Sequence, residues 1–417
     1  MRGNIESSLP PNPWSAPRRP AAPTPVVYDG SRGRLFGLAL GRMALTILTL
    51  GIGRFWMTTR LRRHYWASIR IDGSPLEYTG RAMEKLIGFL VAVVILAVYI
   101  SLANLALTFA GLAWLEGSVV GLQLPLLALA PALFWAQYRA RRYILARTRW
   151  RGVRFGLAPG AWGYAWRAMV WWGLTLLTLG LLYPLTQHRL ARYTTARSYF
   201  GDLRFTQEGG AGPLMRSWLW VWLPAAGLAA AAAGFAALGK EPGPEAALAP
   251  LLLLFVALGF VRHQVFSFRH LNSLKTLAGK TRFSVSLGFW RVVGIYVSGA
   301  LAIGLGVAAT AAVSSLAAAA LIGDPSALFA ALAEGRAPDV TGLLALALLA
   351  AAYLPAVAVW SALGHAFLTH PLLKAACAGL LIHDLEAAER ARQRAHDEQA
   401  EAGGFADALG ADMGGAF

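Results

Sequence analysis

Long apolar runs alternate along this chain with short polar pieces rich in arginine. Six runs, Leu86 to Ala110, Val119 to Trp135, Leu214 to Leu238, Ala246 to Phe260, Phe289 to Leu321 and Leu343 to Leu363, lie near the roughly 20 residues that a membrane-spanning helix requires. Two others, Leu35 to Trp56 and Trp162 to Pro184, carry Arg42 and Arg167 inside them. Basic segments separate the runs, at Arg60 to Tyr65, Arg139 to Arg154, Arg189 to Arg197 and Arg262 to Lys280. Just before the apolar runs stand strand-like pieces: Val26 to Gly30, Leu76 to Gly80, Val153 to Phe155, Leu203 to Thr206 and Arg282 to Ser284. A lone strand is marginal in water, so several gathered at one membrane face are expected to pair into a small sheet. Extended linkers with an interfacial aromatic anchor are the other reading.

One stretch occurs twice. Leu45-Thr46-Ile47-Leu48-Thr49-Leu50-Gly51 is echoed by Leu174-Thr175-Leu176-Leu177-Thr178-Leu179-Gly180. Arg60, Arg63 and Ala67 stand as far beyond Thr49 as Arg189, Arg192 and Ala196 do beyond Thr178, which is the signature of an internal repeat. Loop charge bears on what the repeat is. If both stretches crossed the bilayer, the Arg60–Arg70 and Arg139–Arg154 segments, the strongest basic clusters, would both lie outside, against the excess of Lys and Arg that cytoplasmic loops carry. If both dip in and return, all the basic segments share the cytoplasmic face, and the links near Glu116, Glu241 and Asp324 face outward. Thr49 with Gly51, and Thr178 with Gly180, are then the tips of re-entrant hairpins. Glycine permits the bend, a threonine hydroxyl satisfies freed backbone groups, and the tip is expected to pack inward. Spanning and re-entry both remain open at this level.

Composition supports the membrane reading. The chain of 417 residues is 57% hydrophobic and 14% charged, with a mean hydropathy of +0.50, more apolar than a soluble domain needs. Its net charge of +17 favours anionic headgroups as partners; no nucleic-acid recognition motif is visible. Cys377 is the single cysteine, which leaves no internal disulfide and no cysteine metal cage. The proline-punctuated start, residues 1–25, reads as a disordered tail without the apolar core of a signal peptide. Arg42, Arg167 and Arg291 lie within or at the edge of apolar runs, where arginine is costly; they either snorkel to the headgroups or line a site for an anionic ligand. The spacings of His263, His270, His365 and His370 match no metal motif, and no paired carboxylates, nucleophile elbow or phosphate loop is present. Nothing points to an enzyme, a cofactor or a metal.

The chain resembles the YjgN-like bacterial inner-membrane family, also called domain of unknown function 898. The resemblance is carried by Leu48-Thr49-Leu50-Gly51 with Phe55-Trp56 and Arg60-Leu61-Arg62-Arg63, and by Arg142-Tyr143 with Arg151-Gly152-Val153-Arg154-Phe155. Leu177-Thr178-Leu179-Gly180 with Tyr183-Pro184, and Arg189 to Tyr193 leading to Gly201 and Phe205, extend it. It runs from about Val26 to His383 and departs from the family pattern at Arg54 and in the alanine-rich stretch Ala300 to Ala320. It implies an inner-membrane location and supplies no activity.

These readings combine into an expectation: an all-α polytopic membrane protein with about six spanning helices, two re-entrant or interfacial helical hairpins and short cytoplasmic β-strands. The expected divisions are a tail (1–25), three membrane repeats (26–140, 141–266 and a divergent 267–383) and a charged helix with a loose end (384–417). Both termini and the basic face, Arg60, Arg62, Arg63, Arg141, Arg142, Arg189 and Arg192, are expected in the cytoplasm. The function expected is binding, moving or sensing a lipid or other amphiphile, and the alternative is a scaffold that docks anionic lipid or a soluble partner. The sequence sets no oligomeric state. Arg62→Cys and Arg192→Cys are expected to react with a membrane-impermeant thiol reagent from the cytoplasmic side. Labelling from the periplasmic side only would sink the re-entrant reading.

Overall fold

Two-residue turns decide the topology. Asp72-Gly73 and Arg151-Gly152 place both residues of each pair at positive φ (48° and 71°; 48° and 79°). Such turns match the twist of a tight antiparallel hairpin, and they set Ile71 opposite Ser74 and Trp150 opposite Val153. In the computed structural model, which describes residues 22–114, 119–239, 248–322 and 340–394 with 330 and 333, these hairpins join into a closed ten-stranded antiparallel barrel.

Among the described residues one order of elements recurs five times: a strand, two helices and a shorter strand. The first unit is β1 (Thr24–Tyr28), α1 (Arg32–Leu48), α2 (Arg54–Ser68) and β2 (Ile69–Ile71). The second is β3 (Ser74–Tyr78), α3 (Ala82–Trp114), α4 (Val119–Ala146) and β4 (Thr148–Trp150). The third is β5 (Val153–Leu157), α5 (Ala161–Leu177), α6 (Tyr183–Thr195) and β6 (Ser198–Phe200); the fourth is β7 (Leu203–Gln207), α7 (Gly212–Leu238), α8 (Ala249–Ser273) and β8 (Lys275–Leu277). The fifth is β9 (Thr281–Val285), α9 (Phe289–Ile322), α10 (Val340–Leu363), a π-helical turn (Gly364–Thr369), α11 (His370–Ala378) and β10 (Leu380–His383). A last short helix, α12 (Leu385–Glu389), follows.

Within every unit the two strands pair with each other, antiparallel. Each helix pair therefore leaves and re-enters the barrel at the same rim, and the tight turns collect at the other. Among the described residues five segments, in α3, α7, α8, α9 and from α10 through α11, are long and apolar enough to cross a membrane. Large apolar side chains such as Leu90, Val94, Leu223, Leu253, Leu305 and Leu344 point outward along them, as apolar surroundings would require.

One inward position on each strand forms an apolar layer across the lumen: Val26, Ile71, Leu76, Trp150, Phe155, Phe200, Phe205, Leu277, Phe283 and Ile382. Phe155 packs on Phe200 (4.7 Å between centroids) and Phe200 on Trp150 (5.7 Å). Each large side chain buried this way contributes about 1.5–3 kcal/mol, so the layer seals the lumen and holds the ring shut.

The C-terminal segment covers the turn end. Leu385, Ala388 and Ala391 join the same core cluster. Arg151 pairs with Asp72 (2.6 Å) and Glu389 (2.5 Å), the Arg392 N–H donates to Asp202 (2.9 Å), and the Arg154 N–H donates to Gln393 (3.0 Å).

Several expectations change. The fold is not all-α: the strand-like pieces are the five longer strands of a barrel, and residues read as basic segment, such as Thr148–Trp150 and Lys275–Leu277, supply shorter ones. Thr24 and Pro25 belong to β1, paired with Ile382 and Leu381, and so are not part of a tail. The divisions at 140/141 and 266/267 fall inside α4 and α8. His365 to His383 forms a π turn, a helix and a strand, and the charged C-terminal segment is helical only from Leu385 to Glu389 within the described residues. Residues 1–21, the links at Glu116, Glu241 and Asp324, and residues from 395 onward lie outside them.

Gly201 is the close approach between barrel and C-terminal segment, at φ 55° and with an added methyl lying 2.5 Å from the Arg392 carbonyl oxygen. Gly201→Ala combines about 1–2 kcal/mol of left-handed strain with that clash. It is expected to lower the melting temperature and speed proteolytic release of residues after Asp384; unchanged proteolysis would show that the segment is not held there.

Candidate functional site

The duplicated stretch is a pair of helix-to-helix bends built alike. Leu50 and Gly51 take φ 51° and 97°, and Leu179 and Gly180 take 49° and 87°. The Thr49 hydroxyl donates to the Leu45 carbonyl (2.6 Å) and accepts from the Gly53 N–H (2.7 Å); Thr178 donates to Leu174 (2.8 Å) and accepts from Leu182 (3.3 Å). One hydroxyl thus satisfies the end of one helix and the start of the next. The leucines at both tips point outward, Leu50 95% and Leu179 84% exposed, where inward packing was expected. At the second tip, α7 supplies what the backbone lacks. Trp222 donates to the Leu179 carbonyl (2.9 Å) and Trp218 to the Gly180 carbonyl (3.0 Å).

Docking α7 on this tip brings α6 beside α8, and a cavity of about 690 Å³ opens among α4, α5, α6, α8 and the barrel rim. Its cations are Arg141 of α4 and Lys275 of β8. Around them stand Gln137, Gln187, Gln264, Asn272, Ser267, Thr186 and Tyr183, and among the described residues no Asp or Glu lines the space. The polar groups are pre-arranged: Lys275 donates to Asn272 (2.8 Å), Ser267 to Gln187 (3.1 Å), Gln187 to the Tyr183 hydroxyl (2.9 Å), and Tyr164 to Gln137 (3.1 Å). His263, fully buried, supports the wall from behind with its ring 4.9 Å from Trp218. Gln207 lies directly across the strands from Lys275, buried, with neither side-chain amide atom hydrogen-bonded. Burial, with the Arg141 charge adding to it, pushes the Lys275 ammonium down to about 8, so it is charged at neutral pH at a cost. An anion in the cavity would offset that cost, and the neutral donors and acceptors suit a polar body attached to it.

The sequence-predicted residues separate. Thr49, Gly51, Thr178 and Gly180 sit at the two bends, away from the cavity. Arg42 reaches Ser361 of α10 (3.4 Å), near the Tyr65–His365 hydrogen bond (3.0 Å) on a different helix group. Arg167 lies over the Tyr193 ring (4.7 Å) and donates to Gly163 (2.9 Å), and Arg291 is exposed at the start of α9; neither lines the cavity. Of the basic face, Arg141 alone lines the cavity. Arg62 meets Tyr78 (3.3 Å), Arg63 the Gly80 carbonyl (3.0 Å), Arg189 the Trp171 ring (5.4 Å), and Arg192 ends α6. Arg60 is exposed on α2, and Arg142 lies one position beyond Arg141 on α4. Lys275, Gln207, Asn272 and the three glutamines were missed. Glutamines two to four residues past the ends of three apolar runs (Gln137, Gln187, Gln264) were the available signal.

A closed ring of short strands carrying apolar helical hairpins on one rim, with a basic polar cavity above it, defines a helical-hairpin protein of membrane character. The chain belongs to the family of bacterial proteins of unknown function known as DUF898, whose sequence profile matches residues 23–321. No curated protein and no solved structure matches it.

Because the folded protein holds Lys275 below its unfolded range, the unfolded chain binds more protons there, and this site makes stability rise with pH from about 8 to about 10.4. Lys275→Met is expected to raise the melting temperature at pH 7, and the gain should shrink as pH rises through that window. A gain independent of pH would place the effect elsewhere.

Proposed function

We propose that this protein is a polytopic inner-membrane protein that binds an anionic amphiphile in the cavity above its barrel. The apolar hairpins lie in the bilayer, the two short ones re-enter, and the barrel with both termini lies on the cytoplasmic face. One observation carries the binding reading: a cavity of about 690 Å³ whose charged lining residues, among the described residues, are Arg141 and Lys275, set among uncharged hydrogen-bonding side chains. That volume lies within the usual range for small-molecule sites. Exposed apolar faces on α7 and α8 support a ligand with an acyl chain, because the chain can stay among the helices while its charged end meets the rim. The apolar layer across the lumen favours holding or sensing such a ligand over passing it through the barrel.

The scaffold reading draws on a different observation, the exposed Arg60, Arg70 and Arg204 around the ring, which suit docking to anionic lipid or an acidic partner.

Lysophosphatidylglycerol, a single-chain phosphodiester with constant charge above mild acidity, separates the two. Purified protein is expected to bind it, with affinity about tenfold lower in Lys275→Met, the loss expected from one charge-assisted contact. Binding by the wild type should also weaken as pH rises through about 8, because deprotonation removes the ammonium. Equal affinity in Lys275→Met and wild type would reject the cavity and leave the scaffold.

A further inference from the structure

A second basic site lies outside the helix cluster. Arg216 and Ser217 on α7, Arg262 and Arg269 on α8, and Phe289 at the start of α9 line a groove of about 620 Å³, with Trp220 at its edge. The three arginines and Trp220 are exposed. None of the three guanidiniums makes a hydrogen bond or ion pair to a described residue, and no Asp or Glu lines the groove.

Depth fits the arrangement to a bilayer edge. Arg216 stands four residues into α7, and Arg269 and Arg262 stand four and eleven residues before the end of α8. At about 1.5 Å per residue they lie roughly 6 to 16 Å from the rim ends of their helices. Beyond them Leu219, Leu223, Phe255 and Phe260 present exposed apolar side chains. Trp220 sits where the polar and apolar parts of the groove meet, as an indole does at the headgroup level.

We propose that this groove is a peripheral binding site for a diacyl phospholipid with an anionic phosphodiester headgroup. The guanidiniums and the Ser217 hydroxyl donate to the phosphodiester oxygens, and the acyl chains run along the outer faces of α7 and α8. Charge complementarity selects the lipid class. A zwitterionic headgroup would bring its ammonium against three cations with no acid to receive it, whereas phosphatidylglycerol brings only negative charge. The site rests on the membrane placement proposed above and is independent of the Lys275 cavity.

Native mass spectrometry of the full chain, extracted in mild detergent and titrated with dioleoyl-phosphatidylglycerol or dioleoyl-phosphatidylcholine, tests it. Wild type and Lys275→Met are expected to retain one phosphatidylglycerol that the triple variant R216Q/R262Q/R269Q binds about tenfold more weakly, the loss of charge-assisted contacts. The phosphatidylcholine titration should not distinguish these proteins. A control triple, R34Q/R81Q/R282Q, removes as many exposed arginines elsewhere and is expected to stay within about twofold of wild type, since it changes only general charge. Should the triple variant fail to fold, the single variants must each weaken retention. Retention unchanged in the groove variants, or equally reduced in the control, would overturn the site. Displacement by glycerophosphoglycerol at the same concentration would overturn the assignment to a lipid. A chain washed off membranes by alkaline carbonate would refute the membrane placement itself, a failure distinguishable from loss of the groove alone.

Discussion

Ten strands of three to five residues are stable only as a closed ring, and the rest of this structure follows from that closure. A strand this short, left at an edge, would expose its ladder to water and gain little burial. Joined without an edge, the ten contribute one inward side chain each to a single apolar layer, and the ring is held by what it encloses. Closure also fixes where the helices go. A helix pair that begins on one strand and ends on its antiparallel neighbour must return to the rim it left.

The two short helical hairpins obey this constraint most visibly. Their bends solve one problem with one device: two left-handed residues, the second a glycine, and a threonine hydroxyl bridging the helix ends. The second bend adds the Trp218 and Trp222 indoles, donated one helical turn apart from α7. Two carbonyls that would be costly among apolar groups are thereby satisfied, and α7 is held against α5 and α6. The cavity exists because of that docking. At the first bend, position 54 is an arginine whose guanidinium lies over Phe89 (5.9 Å), while at the second Tyr183 packs at a tilt against Trp218 (4.8 Å between centroids). The two hairpins thus meet their neighbouring long helices through different chemistry.

Much of this was legible in the sequence. The bends were marked by the Thr-Leu-Gly echo, and four of the five longer strands by an aromatic residue following a glycine: Tyr78 after Gly73, Phe155 after Gly152, Phe205 after Gly201 and Phe283 after Gly279. The three-residue strands were hidden because each follows a basic or apolar helix with no glycine or proline between: Ile69 follows Ser68 of α2, and Thr148 comes two residues after the end of α4. Three residues carry too little alternation to register. Closure itself depends on β1 pairing with β10 across nearly the whole chain, which no local pattern reports. The cavity was obscured for a related reason. Lys275 belongs to a basic segment that reads as solvated, and only the pairing of β7 with β8 turns it inward beside Gln207.

That inward turn separates the two layers of the barrel. A ring built for stability alone would continue the apolar layer up to the rim. The rim instead carries Lys275 and Gln207 facing each other across one strand pair, with Thr148 on β4 and Ser198 on β6. Gln207 keeps an unsatisfied amide, and Lys275 keeps a charge that burial opposes. Buried polar groups without partners cost about 1–3 kcal/mol each, and the apolar layer just beneath supplies the stability to carry that cost. Under the proposed function, an anionic ligand would offset part of this cost. The barrel is therefore both the clasp that closes the ring of hairpins and the floor on which a polar, positively charged site is held.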